Sequence, residues 1–593
     1  MWLIMDLLPG LLEDVKAGKV SAEAACARLD AFIACHYGGL SRDAGVVYTP
    51  LPVARYICRQ AIDPYLATGN SIENIRVFDS SCGTGIFLQA ALEELYRLRA
   101  EKSDLSEYEL KKQIIEKCLF GMDIDQYSAD AAFLRLNMLL PSNGEKQIKV
   151  NVACDNALFA TGVGTFDVIV GNPPYMRIKS MSGDLKTSLP EKVKASRLYN
   201  YQEGNLNLYK LFIERNLGFL KESGRMGLII PSSFLNEATS EKLRKHIFDT
   251  CSLEEVVEIP ERSRIFPGVN QATAIIVLKK SKASHGRLWL RLGADGDTLG
   301  TGNSPIAIAY AELAEFTDGR MEVPLLTDPA VEWEMMRRLK GIPPFRGGNG
   351  VPPVGQISVG NVDETFDKAY ISEERTGDIF VKGIHLKEYF VDLSPGGRQP
   401  RWVKKEEFLR KRPSAAEIIG RSRIIGRNTQ NKACPRRLKF AILPPGYLCS
   451  NSIKQIVITD PNIDPLYILG LLNSSTLNWY FELFCSQNNI RNYRIESLPI
   501  VRALGNVQGT FASIARLLMD SSGKTRDFYD KLIDVMAFEL YFGGPGLIDI
   551  AASAHDFDTA RVRGSLDAVT GDRRYVVVTN ATNKNTRAKN IFQ

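Results

Sequence analysis

Between residues 70 and 280 the apolar positions fall into short continuous runs, separated by stretches in which they recur every three or four residues. The runs at 75–78, 118–122, 148–153, 166–170, 226–230, 253–259 and 272–278 predict seven strands. Helical spacing at 51–62, 86–99, 107–116 and 207–221 places helices around and between the early strands. Strands alternating with helices describe an α/β sheet, whose last two strands form a hairpin. Residues 1–44 carry helical periodicity at Leu7, Leu8, Leu11, Leu12 and Val15, as in a small helical cap. The segment 176–204 is polar and Lys-rich and reads as a mobile loop. From 286 to about 505 the pattern breaks into short strands and Gly/Pro turns. Helical spacing returns over 506–544, and from Arg573 the tail is polar and rich in Asn, Thr and Lys, a composition that favours disorder. The expected division is 1–45, 46–285, 286–505 and 506–593.

The chemistry-bearing residues sit where the strands end, which is where open α/β sheets bind ligands. After the first strand comes Asp79-Ser80-Ser81-Cys82-Gly83-Thr84-Gly85, then a helix. Strand, Gly-rich loop and helix make a nucleotide-binding start, with glycines that permit close backbone approach. No Lys follows the loop, so it is not a phosphate-gripping P-loop, and the acid suits a positively charged group. The second strand ends at Asp123, a carboxylate placed for ribose hydroxyls. The third ends at Cys154-Asp155-Asn156 and the fourth at Asn172-Pro173-Pro174-Tyr175. The two prolines stiffen the backbone, holding an amide, a carbonyl and an aromatic ring at set positions. Such a device can grip a planar group bearing an amine. An isolated N-P-P-Y is equally readable as a stiff turn with a packed tyrosine.

Composition narrows the class. With 45% hydrophobic and 24% charged residues over 593 positions, the chain has the makeup of a multidomain globular protein. No apolar run approaches the ~20 residues of a membrane span, and the apolar start contains Asp6 and lacks a basic leader. Ten scattered cysteines without a C-x-x-C pair, and five dispersed histidines, support neither a disulfide framework nor a metal site and point to a reducing cytoplasm. The net charge is +6, yet residues 398–439 hold fourteen Lys/Arg against three Glu, a local charge of +11. Aromatic, Gly and amide residues interleave that tract, which favours a nucleic-acid face over a merely solvated surface.

Taken in order, these motifs resemble the gamma-class N6-adenine DNA methyltransferases of restriction–modification systems. The resemblance rests on Tyr48-Thr49-Pro50, D-S-S-C-G-T-G, G-M-D-I-D, C-D-N-A-L-F, G-N-P-P-Y, N-L-N-L-Y-K-L-F, G-L-I-I-P-S-S-F-L and I-F-P-G-V-N-Q-A-T-A-I-I-V. Ser80 stands where the family often has Pro. Segments at 380–384, 423–427 and 467–481 resemble a TaqI-like target-recognition domain. The resemblance implies a Rossmann-like seven-stranded methyltransferase domain, a mixed α+β recognition domain and a helical C-terminal segment. It implies S-adenosylmethionine as cofactor, held by Thr49, Asp79, Cys82, Gly83, Gly85, Asp123, Asp155 and Phe212. Asn172, Pro173, Pro174 and Tyr175 would form the catalytic floor, with Tyr175 and Phe266 sandwiching a flipped adenine, and no metal. Arg421, Arg423 and Arg427 are the candidate DNA contacts. Double-stranded DNA is the expected partner, alongside a separate restriction endonuclease or other defence subunits. Two alternatives stay open: an RNA or protein-glutamine methyltransferase, and a non-catalytic DNA-binding subunit of a defence complex.

Overall fold

The computed structural model describes residues 10–37, 49–141, 148–180, 185–263, 265, 271–281, 286–291, 299, 305–375, 378–393, 401–431, 434–485, 488–552 and 560–582. Tyr48, Phe266, Arg398 and Lys432 lie outside them, as do Leu7 and Leu8 and the last eleven residues of the polar tail. The chain forms two compact units, divided between Val323 and Pro324.

The first unit is built on a nine-stranded sheet of order β3-β2-β1-β4-β5-β7-β6-β8-β9. Its strands are β1 (Val77–Asp79), β2 (Leu119–Asp123), β3 (Asn151–Cys154), β4 (Phe166–Gly171), β5 (Leu220–Pro231), β6 (Ser252–Ile259), β7 (Thr273–Lys279), β8 (Arg287–Arg291) and β9 (Ile306–Ala309). Strands β3, β2, β1, β4 and β5 are parallel neighbours, and β7 runs antiparallel between β5 and β6. All seven expected strands are present, and β6 with β7 makes the expected antiparallel pair. Two more, β8 and β9, extend the same sheet. The expected boundary at 285 therefore gives way to one at 323: β8 alternates exposed and buried residues and pairs with β6.

Every residue of β1 and β4 is buried, so these strands carry continuous apolar runs rather than an alternating pattern. Asp167 is the polar exception in β4. Its carboxylate accepts from Tyr65 Oη at 2.7 Å, the Arg76 backbone N–H at 2.9 Å and Lys221 Nζ at 2.8 Å. Helices α2 (Leu51–Leu66) and α3 (Ile86–Ala100) bury Val53, Ile57, Ala61, Leu88, Leu92 and Leu95 in a core shared with Val168, Val170, Ile229 and Ile275. Helix α1 (Ala22–Tyr37) buries Ala25, Cys26 and Leu29 against Ala131, Leu134 and Met138 of α5 (Gln126–Met138). Between α3 and α5, α4 (Glu107–Cys118) starts in a reciprocal capping box between Ser106 and Glu109. Part of the segment expected as a mobile loop is a helix, α6 (Leu185–Ser196), despite Pro190 within it. The following α7 (Leu208–Phe219) leads directly into β5.

The second unit holds a four-stranded antiparallel sheet of order β10-β16-β14-β15 and a small three-stranded one of order β11-β13-β12. Their strands are β10 (Gly355–Val359), β11 (Ile371–Ser372), β12 (Asp378–Ile379), β13 (Trp402–Val403), β14 (Arg423–Arg427), β15 (Phe440–Leu443) and β16 (Ile453–Ile458). Helices follow: α8 (Pro465–Asn473), α9 (Ser475–Leu483), α10 (Gly505–Asp520) and α11 (Gly523–Phe542). The mixed α+β character and the helical C-terminal portion agree with expectation, whereas Arg573–Thr582, expected as the start of a disordered tail, is a helix.

Candidate active site

The chain leaves β1 toward β2 and β3 on one side, then crosses back so that β4 pairs with β1 on the other. That reversal opens a crevice at the carboxyl ends of β1 and β4, the ligand position of a doubly wound sheet. Asp79 ends β1 and Gly171 ends β4. They approach so closely that a Cβ on Gly171 would stand 2.7 Å from Asp79 Oδ1. The Asp79 side chain is buried; Oδ1 accepts the Ser81 backbone N–H at 3.1 Å, while Oδ2 has no hydrogen-bond partner. Burial, reinforced by the nearby Asp123 charge and opposed by the Ser81 N–H, pushes its carboxyl up to about 8.

The loop after Asp79 is tied to the end of β2. Cys82 donates its backbone N–H to the Met122 carbonyl at 2.9 Å, and Gly83 donates to Asp123 Oδ2 at 2.9 Å. Asp123 Oδ1 accepts the Asp125 N–H at 3.0 Å, and the Asp155 N–H donates to the Asp123 carbonyl at 2.9 Å. Asp79, Cys82, Gly83, Asp123 and Asp155 thus share one rim. Gly85 has φ +82°, and a Cβ there would lie 3.0 Å from both Cα and Cβ of Ala132, so glycine is needed for conformation and for space.

At the end of β4, Asn172 Nδ2 donates to Thr49 Oγ1 at 3.0 Å. This contact spans 123 residues of sequence and ties the Asn172 side chain to Thr49. Sequence reasoning placed Thr49 with the cofactor; the structure gives it a second role, orienting Asn172. The Tyr175 hydroxyl donates to the Ile229 carbonyl at 3.0 Å, and its ring meets Tyr209 edge-on, with centroids 6.4 Å apart. Tyr209 is anchored in turn: its hydroxyl donates to Glu237 at 3.0 Å, as does Ser240 at 2.7 Å, and Lys210 pairs with the same carboxylate. Burial lowers the Lys210 ammonium from its ordinary range, against the pull of Glu237. Sequence reasoning missed Tyr209 and Glu237. The Tyr-Lys pair in N-L-N-L-Y-K was visible, but nothing in the sequence links it to a glutamate 28 residues further on. Phe212 is buried on α7, the helix that carries Tyr209.

The candidate DNA contacts lie in the second unit, and one of them needs correction. Arg423 is 1% exposed, donating to Gln455 Oε1 at 2.6 Å and to the Tyr447 carbonyl at 2.5 Å. It braces the sheet from inside and is not a surface cation. Arg437 is equally buried, and Arg436 is committed to Asp530 at 2.9 Å and Asp534 at 2.5 Å. Arg421 is exposed beside Glu417, and Arg427 is half-buried at the end of β14. Part of the basic tract therefore faces inward. Among the described residues, no group of three or more His, Cys, Asp or Glu is placed to hold a metal ion, and no helix is long and apolar enough to cross a membrane.

Residues 117–266 match the Eco57I restriction-modification methylase family, and residues 378–500 match the TaqI-like C-terminal specificity domain. The chain is 26% identical over 283 residues to the Type II restriction enzyme and methyltransferase RM.Eco57I of Escherichia coli, covering 40% of this chain and 28% of that protein. It is 27% identical over 223 residues to the Type II methyltransferase M.BstVI of Geobacillus stearothermophilus, covering 35% and 38%. The matches thus span about a third of the length of these relatives. The Type IIL restriction-modification enzyme MmeI, solved in complex with DNA, shares the fold with a TM-score of 0.53 at 12% identity, over 88% of this chain and 76% of that one. Along its two matched segments the chain carries the signature of restriction–modification methyltransferases: an Eco57I-type methylase segment, then a TaqI-like specificity segment.

Proposed function

We propose that this chain is a site-specific DNA methyltransferase that transfers the methyl group of S-adenosylmethionine to adenine N6. The observation that carries the proposal is the joined pair of strand ends: Asn172 oriented by Thr49, directly beside the Asp79–Gly85 loop. The residues of that loop fit the cofactor. Asp79 Oδ2, buried and without a partner, matches an ammonium group, and such a partner would draw its raised carboxyl back to the charged form. Asp123 offers remaining lone pairs to ribose hydroxyls, and exposed Asp155 suits an adenine amine. When bound, S-adenosylmethionine supplies an electrophilic methyl on a sulfonium.

The protein's part is positioning and electrostatics. The exocyclic amine of adenine is a poor nucleophile because its lone pair is delocalised into the ring. The Asn172 amide oxygen and the Pro173 carbonyl accept its two hydrogens, which localises the lone pair on nitrogen. Tyr175, its hydroxyl tethered to Ile229 and its ring edged by Tyr209, offers a fixed face on which an extruded base stacks. The specificity segment, 378–500, selects the DNA sequence, and a separate endonuclease or other defence subunit is the natural companion.

The test is Asn172→Ala. Methyl transfer to adenine, read by sequencing DNA for N6-methyladenine, should fall by roughly a hundred- to a thousandfold or more. DNA binding by the same variant should persist. Unchanged transfer would remove Asn172 from the reaction.

A further inference from the structure

Within the second unit, the turn between Leu386 and Phe390 faces the end of β14 across a cleft of about 420 Å³. Lys387, Arg427, Lys439 and Arg526 line it, with Glu388 as its single acid and Phe390 and Gln430 completing the wall. Four cations against one carboxylate make it electropositive. The turn is closed by the Lys387 N–H donating to the Phe390 carbonyl at 3.1 Å. Tyr389, within it, holds a left-handed φ of +74° while its ring is fully buried. That conformation is strained for a non-glycine residue and persists only where the surroundings impose it. Its effect is to anchor the turn through Tyr389 while Phe390 stays exposed, with the Arg526 guanidinium 5.5 Å from the Phe390 ring.

The cations differ in how the fold uses them. Lys439 is paired with Glu388 at 3.1 Å, and Arg526 donates to the Glu388 carbonyl at 2.9 Å. Arg427 is held more loosely. Nη1 reaches Gln430 Oε1 at 3.3 Å, Nη2 reaches the Leu386 carbonyl at 3.4 Å, and Nε is buried without a partner. Buried N–H donors are normally satisfied, so a guanidinium left with long bonds is one that an arriving acceptor would stabilise. Gln430 Oε1 is occupied by Arg427, which leaves its Nε2 as the side-chain end able to donate. Arg427 and Gln430 together therefore present donors, and an edge that carries only acceptors is their complement. On the major-groove side of duplex DNA, the base that offers two acceptors and no donor is guanine, with O6 and N7.

We propose that this cleft is a base-reading site of the specificity segment, in which Arg427, oriented by Gln430, selects a guanine in the recognition sequence. Lys387 and Lys439 hold neighbouring phosphates, and Phe390 forms the apolar lip. The inference rests on the reading of the chain as a sequence-specific DNA methyltransferase and names the residues that set its specificity.

The experiment selects bound duplexes from a random DNA pool with the full chain, then repeats the selection with Arg427→Gln, Gln430→Ala and Lys387→Gln. Wild type should recover a motif containing guanine. Arg427→Gln should lose preference for one guanine position by roughly ten- to a hundredfold while the other positions persist. Gln430→Ala should relax the same position, and Lys387→Gln should weaken all sequences alike. A wild-type motif without guanine, or one unchanged in both the Arg427 and Gln430 variants, overturns the proposal. Thermal melting checks folding, and if Arg427→Gln fails to fold, Gln430→Ala decides. Because selection reads binding alone, a chain that selects its motif but methylates nothing refutes the methyl-transfer reading and leaves the cleft standing.

Discussion

Asp79 shows how much one side chain can report. Its carboxyl, buried and near Asp123, titrates at about 8 in the folded chain, against an ordinary value of 3.8. A group whose folded pKa is raised binds its proton more tightly when folded. Its contribution to stability is full in acid, declines as pH rises from about 4 to about 8, and is gone above that window. The ligand-free chain should lose up to about 1.4 kcal/mol per pH unit inside the window from this residue alone. Asp79→Asn, which cannot titrate, should flatten the curve in thermal melts between pH 5 and pH 8.5; equal steepness in both proteins would reject the assignment. Two thiols nearby, Cys58 and Cys82, are raised by burial and by Asp79 itself, and stay protonated throughout. The ordering of strand-end acids was legible because each follows an apolar run. The Thr49–Asn172 bond was not, since nothing local to either residue signals a partner 123 positions away. Arg423 misled for a related reason. A strand arginine points in or out according to its sheet, and its partners Gln455 and Tyr447 lie 32 and 24 residues on.

Among the elements, the loop joining β1 to α3 is the most demanding. Gly85 combines a positive φ with contact against Ala132 of α5. Gly85→Ala should destabilise the chain by about 1–3 kcal/mol and push α3 away from α5. Urea unfolding measures this, and a change below about 0.5 kcal/mol, the scale of an ordinary surface substitution, would show that the loop relaxes freely. Strands were the easiest elements to read, because covering both faces of a sheet writes an uninterrupted apolar run. Helix α6 was the hardest: Pro190 and its lysines argue for a loop, and only burial of Leu189 and Val193 declares a helix. β8 and β9 escaped because strands of five and four residues look alike whether they extend one sheet or open another.

For the molecule, the basic tract must be counted by where its charges point. Arg423, Arg436 and Arg437 serve the interior, so fewer cations face solvent than the local charge of +11 suggests. Arg410 and Lys411 are exposed near the end of the helix Lys405–Lys411. Replacing both with Gln should weaken DNA binding of any sequence and reduce the slope of log affinity against log salt by roughly 2, at about 0.9 per phosphate contact. A slope unchanged within error would place the backbone contacts elsewhere.

The antiparallel strand β7 has a consequence for the chain as it is synthesised. β6 leaves the ribosome before β7, yet its sheet neighbours are β7 and β8, and β7 alone joins it to β5. A nascent chain that ends before Thr273 therefore carries one orphaned strand of eight residues, Ser252–Ile259, with the apolar Leu253, Val256, Val257 and Ile259 and unmatched backbone groups. The window in which that edge can pair wrongly closes only when β7 slides between its two neighbours. A translational pause that leaves β6 outside the ribosome and β7 still within it should lengthen that exposure, and one placed after β7 has emerged should not.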